Sequence, residues 1–298
     1  MKRDGFIDFK NTVYNMIKSF YTGDVVVEMQ DVRKNNGVIL SGLNMRENGK
    51  KHGTVIYLEQ FYEEYKDGME YDEIVLQLID VFDKNKNNID FDIDEFQDFL
   101  KASKRIVYKV VSYSSNLKML EGLPYRRILD LAIIYFYVGF MGDATIAGTI
   151  VNKEHMEMWE TDEDTLYKCA RENTPLIMPE KLTSMQEALN GIIPFEHGIG
   201  EKCLDIMYVL TNHQSINGAT CMLYPKVLAD FACGIEEDLY IIPSSIHELI
   251  IMPKSIVDDV TQMRDLVHFV NATELMPEEV LSESVYYYNR AEGTIEFA

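Results

Sequence analysis

Along residues 6 to 21 the apolar side chains Phe6, Phe9, Val13, Ile17 and Phe20 recur at spacings of three and four, with Asp, Lys and Asn between them. That is the period of an amphipathic helix. Gly23 and Asp24 end the pattern, and three short β-rich runs follow: VVVEM (25–29), GVILSGL (37–43) and TVIYLE (54–59). The turn-rich RKNNG and RENGKKHG separate them, which predicts an antiparallel meander. Ile74, Leu78 and Phe82 then share one face of a helix predicted over 70–82.

Farther on, a helix is expected around 94–103 and a strand at 105–113 (RIVYKVVSY). Further strands are expected within LPYRRILDLAIIYFYVGF and at 144–151, with Gly142-Asp143 as their hairpin turn. DEDTLYKCARE (162–172) opens with acids, as a helix N-terminus favours. Pro175 and Pro179 bound an irregular stretch, and FEHGIGEK (195–202) reads as a loop. The last third predicts strands at 203–210, 238–242 and 246–252, helices near 219–233 and 255–270, and a hairpin around 285–297. Short antiparallel runs each followed by a helix define an α+β fold, because the strict alternation of a parallel sheet is missing. The length of the chain favours two or three small modules, each a mostly antiparallel sheet packed by helices. Their expected bounds are 1–103, 104–200 and 201–298.

Composition narrows the function classes. Forty-nine Asp and Glu against 28 Lys and Arg give a formal net charge of -21, whereas a nucleic-acid binder needs a basic face to neutralise phosphates. Anionic membrane surfaces are disfavoured on the same ground; the charge would suit a basic protein partner, while an ordinary solvated acidic surface is the reading it supports first. The apolar run LAIIYFYVGFM (131–141) is about half the length of a membrane-spanning helix. Cys169, Cys203, Cys221 and Cys233 form no CxxC and no Cys/His zinc spacing, so a reducing compartment and a cytoplasmic setting are expected, with no cofactor.

Four stretches carry candidate chemistry. In DKNKNNIDFDIDEF, Asp83, Asn85 and Asn87 fall at the first, third and fifth positions of a calcium loop and Asp94 at the twelfth. Asn88 stands where such a loop wants Gly and Asp90 where it wants an aliphatic residue, so a solvated acidic linker competes with calcium binding. His155, flanked by Glu154 and Glu157, lacks a second histidine at helical spacing and reads as a surface helix start. LTNHQSING (210–218) is a polar loop in which Asn212, His213 and Asn217 offer donors to a small polar ligand or anion. PSSIHE (243–248) sets Ser244, Ser245, His247 and Glu248 side by side.

On a strand running from 246, Ser245 and His247 share one face and lie about 6 to 7 Å apart at Cβ, while Glu248 points away from both. A self-contained Ser/His/acid triad is therefore disfavoured. A catalytic role for Ser245 and His247 requires a partner such as Asp205, His213 or Asp238, and no GxSxG elbow occurs in the chain. The competing interpretation is a proline-bounded turn in which Ser244 and Ser245 bond the backbone, and between the two lies a binding role in which Ser244 meets a ligand.

Five segments together, IYLEQFYEEYKDG (56–68), LPYRRILDLAIIYF (123–136), MWETDEDTLYKCARENT (158–174), MYVLTNHQSINGA (207–219) and YIIPSSIHE (240–248), resemble a family of conserved bacterial proteins common in gut Firmicutes and known only as a domain of unknown function. The resemblance spans nearly the whole chain in order. It implies a bacterial, intracellular protein and supplies no activity, substrate or catalytic residue. The leading reading from sequence is a non-enzymatic binding or regulatory protein, and the alternative is a hydrolase-like enzyme using Ser245 and His247 with residues of the 211–217 loop.

Overall fold

The computed structural model describes residues 5–50, 53–86, 92–142, 145–189 and 206–298. Contacts group the chain into two units, Met1–Phe91 and Asp92–Ala298. The expected turn residue Asp143, the loop 195–202, Cys203, Asp205 and Asn87 lie outside the described residues.

In the first unit, helix α1 (Phe6–Phe20) buries Phe9, Val13 and Ile17, while Phe20 is exposed. Strands β1 (Val25–Arg33), β2 (Ile39–Glu47) and β3 (Thr54–Tyr57) form the antiparallel meander. The expected strand 54–59 stops at Tyr57. Leu58, Phe61 and Tyr65 recur at helical spacing, and burying that stripe makes Leu58–Asp67 helix α2. Gly68, at φ 122, ends it in a conformation that a side chain would strain. Helix α3 (Tyr71–Asn85) begins in a capping box of Glu70 and Glu73 and buries Ile74, Leu78 and Phe82 against the same core.

The second unit opens with two short helices, α4 (Ile93–Gln97) and α5 (Phe99–Ala102). Its first sheet is built on β6 (Leu131–Gly142), which pairs antiparallel with β4 (Ile106–Ser112), β5 (Tyr125–Ile128) and β7 (Thr145–Ile150). Helices α6 (Leu117–Leu120), α7 (Lys153–Met158) and α8 (Glu163–Ile177) accompany it. The helix expected to end near 172 runs through Pro175. Proline falls in the last turn, and Met178 N–H still closes on Thr174 O at 2.8 Å.

Helix α8 and the stretch Gly218–Leu223 seal the outer edge of β4. Tyr108 N–H donates to Thr174 Oγ1 (3.0 Å), Val110 N–H donates to Thr220 Oγ1 (3.3 Å), and Asn173 Nδ2 donates to Ile106 O (2.9 Å). At the other end of α8, Arg126 of β5 pairs with Glu163 and Asp164 and stacks over Tyr167.

The second sheet of this unit has six antiparallel strands in the order β13-β12-β10-β11-β9-β8. They are β8 (Glu180–Ser184), β9 (Tyr208–Asn212), β10 (Leu239–Pro243), β11 (Leu249–Pro253), β12 (Tyr286–Asn289) and β13 (Thr294–Phe297), the last two forming the hairpin expected around 285–297. Helix α9 (Met185–Leu189) follows β8. The helix expected over 219–233 is split. A 3₁₀ stretch, Gly218–Leu223, is followed by Pro225 and by Lys226 at φ 73 before α10 (Val227–Ile235). Helix α11 (Val260–Thr273) packs Met263 and Val267 against Ile242, Met252 and Val285 of the sheet side. Asp130, between β5 and β6, accepts hydrogen bonds from Ser282 (2.6 Å), Ser284 (3.1 Å) and Tyr286 (2.7 Å), fastening the entry of β12 to the other sheet.

Candidate functional site

Pro243 pairs with Leu249, so Ser244 to Glu248 form the loop of the β10–β11 hairpin rather than the start of a strand. The strict alternation expected from 246 therefore does not apply. Backbone bonds hold the chain in the loop: Ser245 N–H donates to Glu248 O (3.2 Å), Ile246 N–H donates to Glu279 O (2.8 Å) and His247 N–H donates to Ser245 Oγ (2.9 Å). A serine hydroxyl satisfying an N–H two residues on is a local turn that competes with ladder pairing. Ser244 Oγ lies 3.5 Å from Glu248 Oε1, so these two side chains meet across the loop.

The polar loop after β9 closes on this hairpin. Asn212 is fully buried; its Oδ1 accepts from Gln214 N (3.1 Å) and Ile216 N (3.3 Å), and its Nδ2 donates to Ile216 O (2.8 Å). This side chain folds the loop as an Asx turn. Asn217 takes φ 53, and its backbone N–H donates to His247 Nδ1 at 3.2 Å. Thr211 Oγ1 donates to His247 O (2.7 Å), and Ala219 N–H donates to Ile246 O (3.2 Å). Asn212, Asn217, Ser245 and His247 thus converge. His213 is exposed and its N–H donates to Pro179 O.

The contact between Ser245 and His247 runs through a backbone N–H, not through the imidazole. With Nδ1 accepting from Asn217, the neutral ring carries its proton on Nε2, which lies 3.8 Å from Glu279 Oε1. Asp238, proposed as an outside acid, accepts from Tyr287 Oη (2.6 Å) and Arg290 N (3.0 Å), and these bonds hold its carboxyl below the usual range. Cys221 stands beneath the clasp with Sγ 3.1 Å from Thr211 O, and burial pushes its thiol up to about 12, far from a thiolate.

The other candidates lie apart. Asp83 and Asn85 are in the last turn of α3, where Asp83 accepts from Lys86 Nζ (2.8 Å) and Asn85 Nδ2 donates to Val81 O (2.7 Å). Asp94 is in the first turn of α4. Among the described residues, no group of three His, Cys, Asp or Glu is placed to hold a metal ion. His155 caps α7: its Nδ1 accepts from Asn152 N, and Asn152 Oδ1 accepts from His155 N.

A cleft that sequence reasoning missed begins at Ser244. Between the sheet and α11 lies a cavity of about 430 Å³, walled by Ile242, Met252, Met263 and Val267. Its polar lining includes Ser244, Asp258, Asp259 and Asn271. Asn271 Nδ2 donates to Ser282 O (3.0 Å), while its buried Oδ1 meets no donor among the described residues. Leu266 lines the cleft yet is 55% exposed, as a residue on an open lip would be. The available signal was the helix at 255–270, whose apolar positions outnumber those its own sheet contact covers.

These observations define an α+β protein of antiparallel sheets packed by helices, with two polar loops clasped beside an apolar cleft. The chain belongs to a family of unknown function, DUF5688, whose model matches residues 6–290, in keeping with the resemblance carried by the five segments. No curated protein and no solved structure matches it. No helix among the described residues is long and apolar enough to cross a membrane.

Proposed function

We propose that the protein is a non-catalytic binding protein that holds a small apolar ligand in the cleft between the second sheet of the larger unit and α11. The observation carrying this reading is the cavity: about 430 Å³, with apolar walls and a few polar groups spread along its lining. Its size lies within the usual range for small-molecule sites, and each methylene buried there contributes about 0.8 kcal/mol. The unpaired Cys169, Cys221 and Cys233 support an intracellular setting.

A hydrolase built on Ser245 and His247 is the weaker reading, because the Ser245 hydroxyl accepts from the His247 backbone within its own loop and the His247 ring joins that loop to Asn217. The test uses Nile red as a neutral apolar probe. Its fluorescence rises on binding to the wild-type chain with one-to-one stoichiometry, and Val270→Trp, which places an indole in the cleft, removes the rise without loss of secondary structure. Undiminished binding to a folded Val270→Trp variant would place the ligand elsewhere and sink the proposal.

A further inference from the structure

We infer that the clasp between the two polar loops is an acid-sensitive latch: protonation of the His247 ring releases the loop 213–217 from the β10–β11 hairpin. The inference goes beyond the binding reading and stands without it. Nδ1 of His247 accepts from Asn217 N–H at 3.2 Å, and an imidazolium carries hydrogen on both nitrogens. Its Nδ1–H would then point at the Asn217 N–H, donor against donor. Only the neutral ring fits the closed clasp.

Imidazoles take up their second proton between about pH 5 and 8. The closed clasp excludes that proton and the released one admits it, so release gains as pH falls. Glu279 acts from the other side of the ring. Its Oε1 lies 3.8 Å from Nε2, a separation across which a cationic ring is attracted more strongly than a neutral one. Thr211 Oγ1 and Ala219 N–H bond His247 O and Ile246 O, and neither bond depends on the charge of the ring. The movement is thereby confined to 213–217, whose turn keeps its own bonds to the Asn212 side chain. Among the described residues, the other titratable groups on the elements around the ring are Glu248, Glu278, His213 and Cys221. Burial keeps the Cys221 thiol protonated, and the two carboxylates favour the cation as Glu279 does. Exposed His213 is the group whose titration would imitate that of His247.

The experiment follows amide exchange in the full chain by proton–nitrogen NMR at pH 7.5 and 5.5, with each rate corrected for the intrinsic effect of pH. Protection at Asn217 is expected to fall about tenfold at the lower pH, while the β9 amides keep theirs. His247→Asn sets a carbonyl oxygen where Nδ1 stands and does not titrate, so its protection at Asn217 is the same at both pH values. Glu279→Gln moves the release to lower pH by about half a unit, and His213→Gln leaves it in place. Undiminished protection of Asn217 in the wild-type chain at pH 5.5, an equal fall in His247→Asn, or a response abolished by His213→Gln would each overturn the inference. If asparagine does not restore the bond at pH 7.5, the imidazole nitrogen shifts of the wild-type chain decide. Protonation of the His247 ring and loss of Asn217 protection must follow one titration curve, and separate curves would overturn the inference equally.

Discussion

The backbone N–H of Asn217 donates to Nδ1 of His247 at 3.2 Å, joining two loops thirty residues apart in the chain. The bond selects one tautomer of the ring and uses the nitrogen through which a triad acid would orient it. His247 therefore holds the site's architecture, and Thr211 and Ala219 add bonds to the neighbouring backbone carbonyls of His247 and Ile246.

His247→Ala removes the acceptor and leaves the Asn217 N–H to water. A loss of about 1 to 2 kcal/mol is expected in urea unfolding followed through Trp159, the chain's single tryptophan. The same variant, and Ser245→Ala, leave p-nitrophenyl acetate hydrolysis at the background of the wild-type chain. A hundredfold fall in a measurable esterase rate would restore the hydrolase.

Gly218 fits the clasp by contact. A Cβ there would lie 2.1 Å from Thr211 Oγ1, 2.4 Å from His247 O and 2.9 Å from Asn212 N. Two of these neighbours are backbone atoms that cannot swing aside. Gly218→Ala is expected to cost about 2 to 4 kcal/mol, read as a lower urea midpoint, whereas Gly234→Ala, exposed in α10 with no neighbour within 4 Å of the added carbon, raises the midpoint by the helix preference of alanine, up to about 1 kcal/mol.

Asp130 accepts three hydroxyl protons and is the anchor of the β12 entry. Burial, with Asp130 adding to it, keeps the Tyr286 phenol well above its ordinary range. Asp130→Ala is expected to lose about 2 to 4 kcal/mol, because charge-assisted bonds are the stronger ones and their donors are left unpaired. Asp130→Asn keeps one carbonyl acceptor and should lose less than half as much. Equal losses in the two variants would show that space rather than hydrogen bonding matters at this position.

Burial between Phe96 and Trp159 holds the His155 ring below its ordinary value of 6.5. The unfolded chain then binds the proton more readily than the folded one, so this contribution is full above pH 6.5 and is lost as pH falls from there towards the folded value. His155→Gln retains a side-chain acceptor at the same capping position but does not titrate. Between pH 7.5 and 5.5 the wild-type chain should lose more stability than the variant; equal losses would assign the pH dependence to other groups.

The meander of the first unit and the α+β class were legible because period two and period 3.6 are written in Val27, Leu43 and Met45 and in Phe9, Val13 and Ile17. The boundaries that shifted did so where a tertiary contact overruled a local signal. Leu58 continues an apolar β run yet belongs to a helical stripe with Phe61 and Tyr65, and Pro175 sits in a helix whose neighbouring Thr174 bonds β4. At the site, the polar character of SSIHE and NHQSING could be read directly. Their meeting could not, because the bonds between them go through backbone groups that every residue carries. The cleft was invisible for a related reason: periodicity reports that Met263 and Val267 are turned inward, not how completely the opposite wall fills the space.

The sealed margin of β4 bears on how this protein behaves when partly unfolded. Two threonine hydroxyls and an asparagine amide, drawn from α8 and the stretch after the β9 loop, occupy the positions that an incoming strand would pair with. Should those elements peel away, β4 and β6 would present a long, branched, almost uncharged ribbon, IVYKVVS beside LAIIYFYV, of the composition that templates intermolecular cross-β growth. A few polar atoms on Asn173, Thr174 and Thr220 therefore guard solubility as much as they secure the fold.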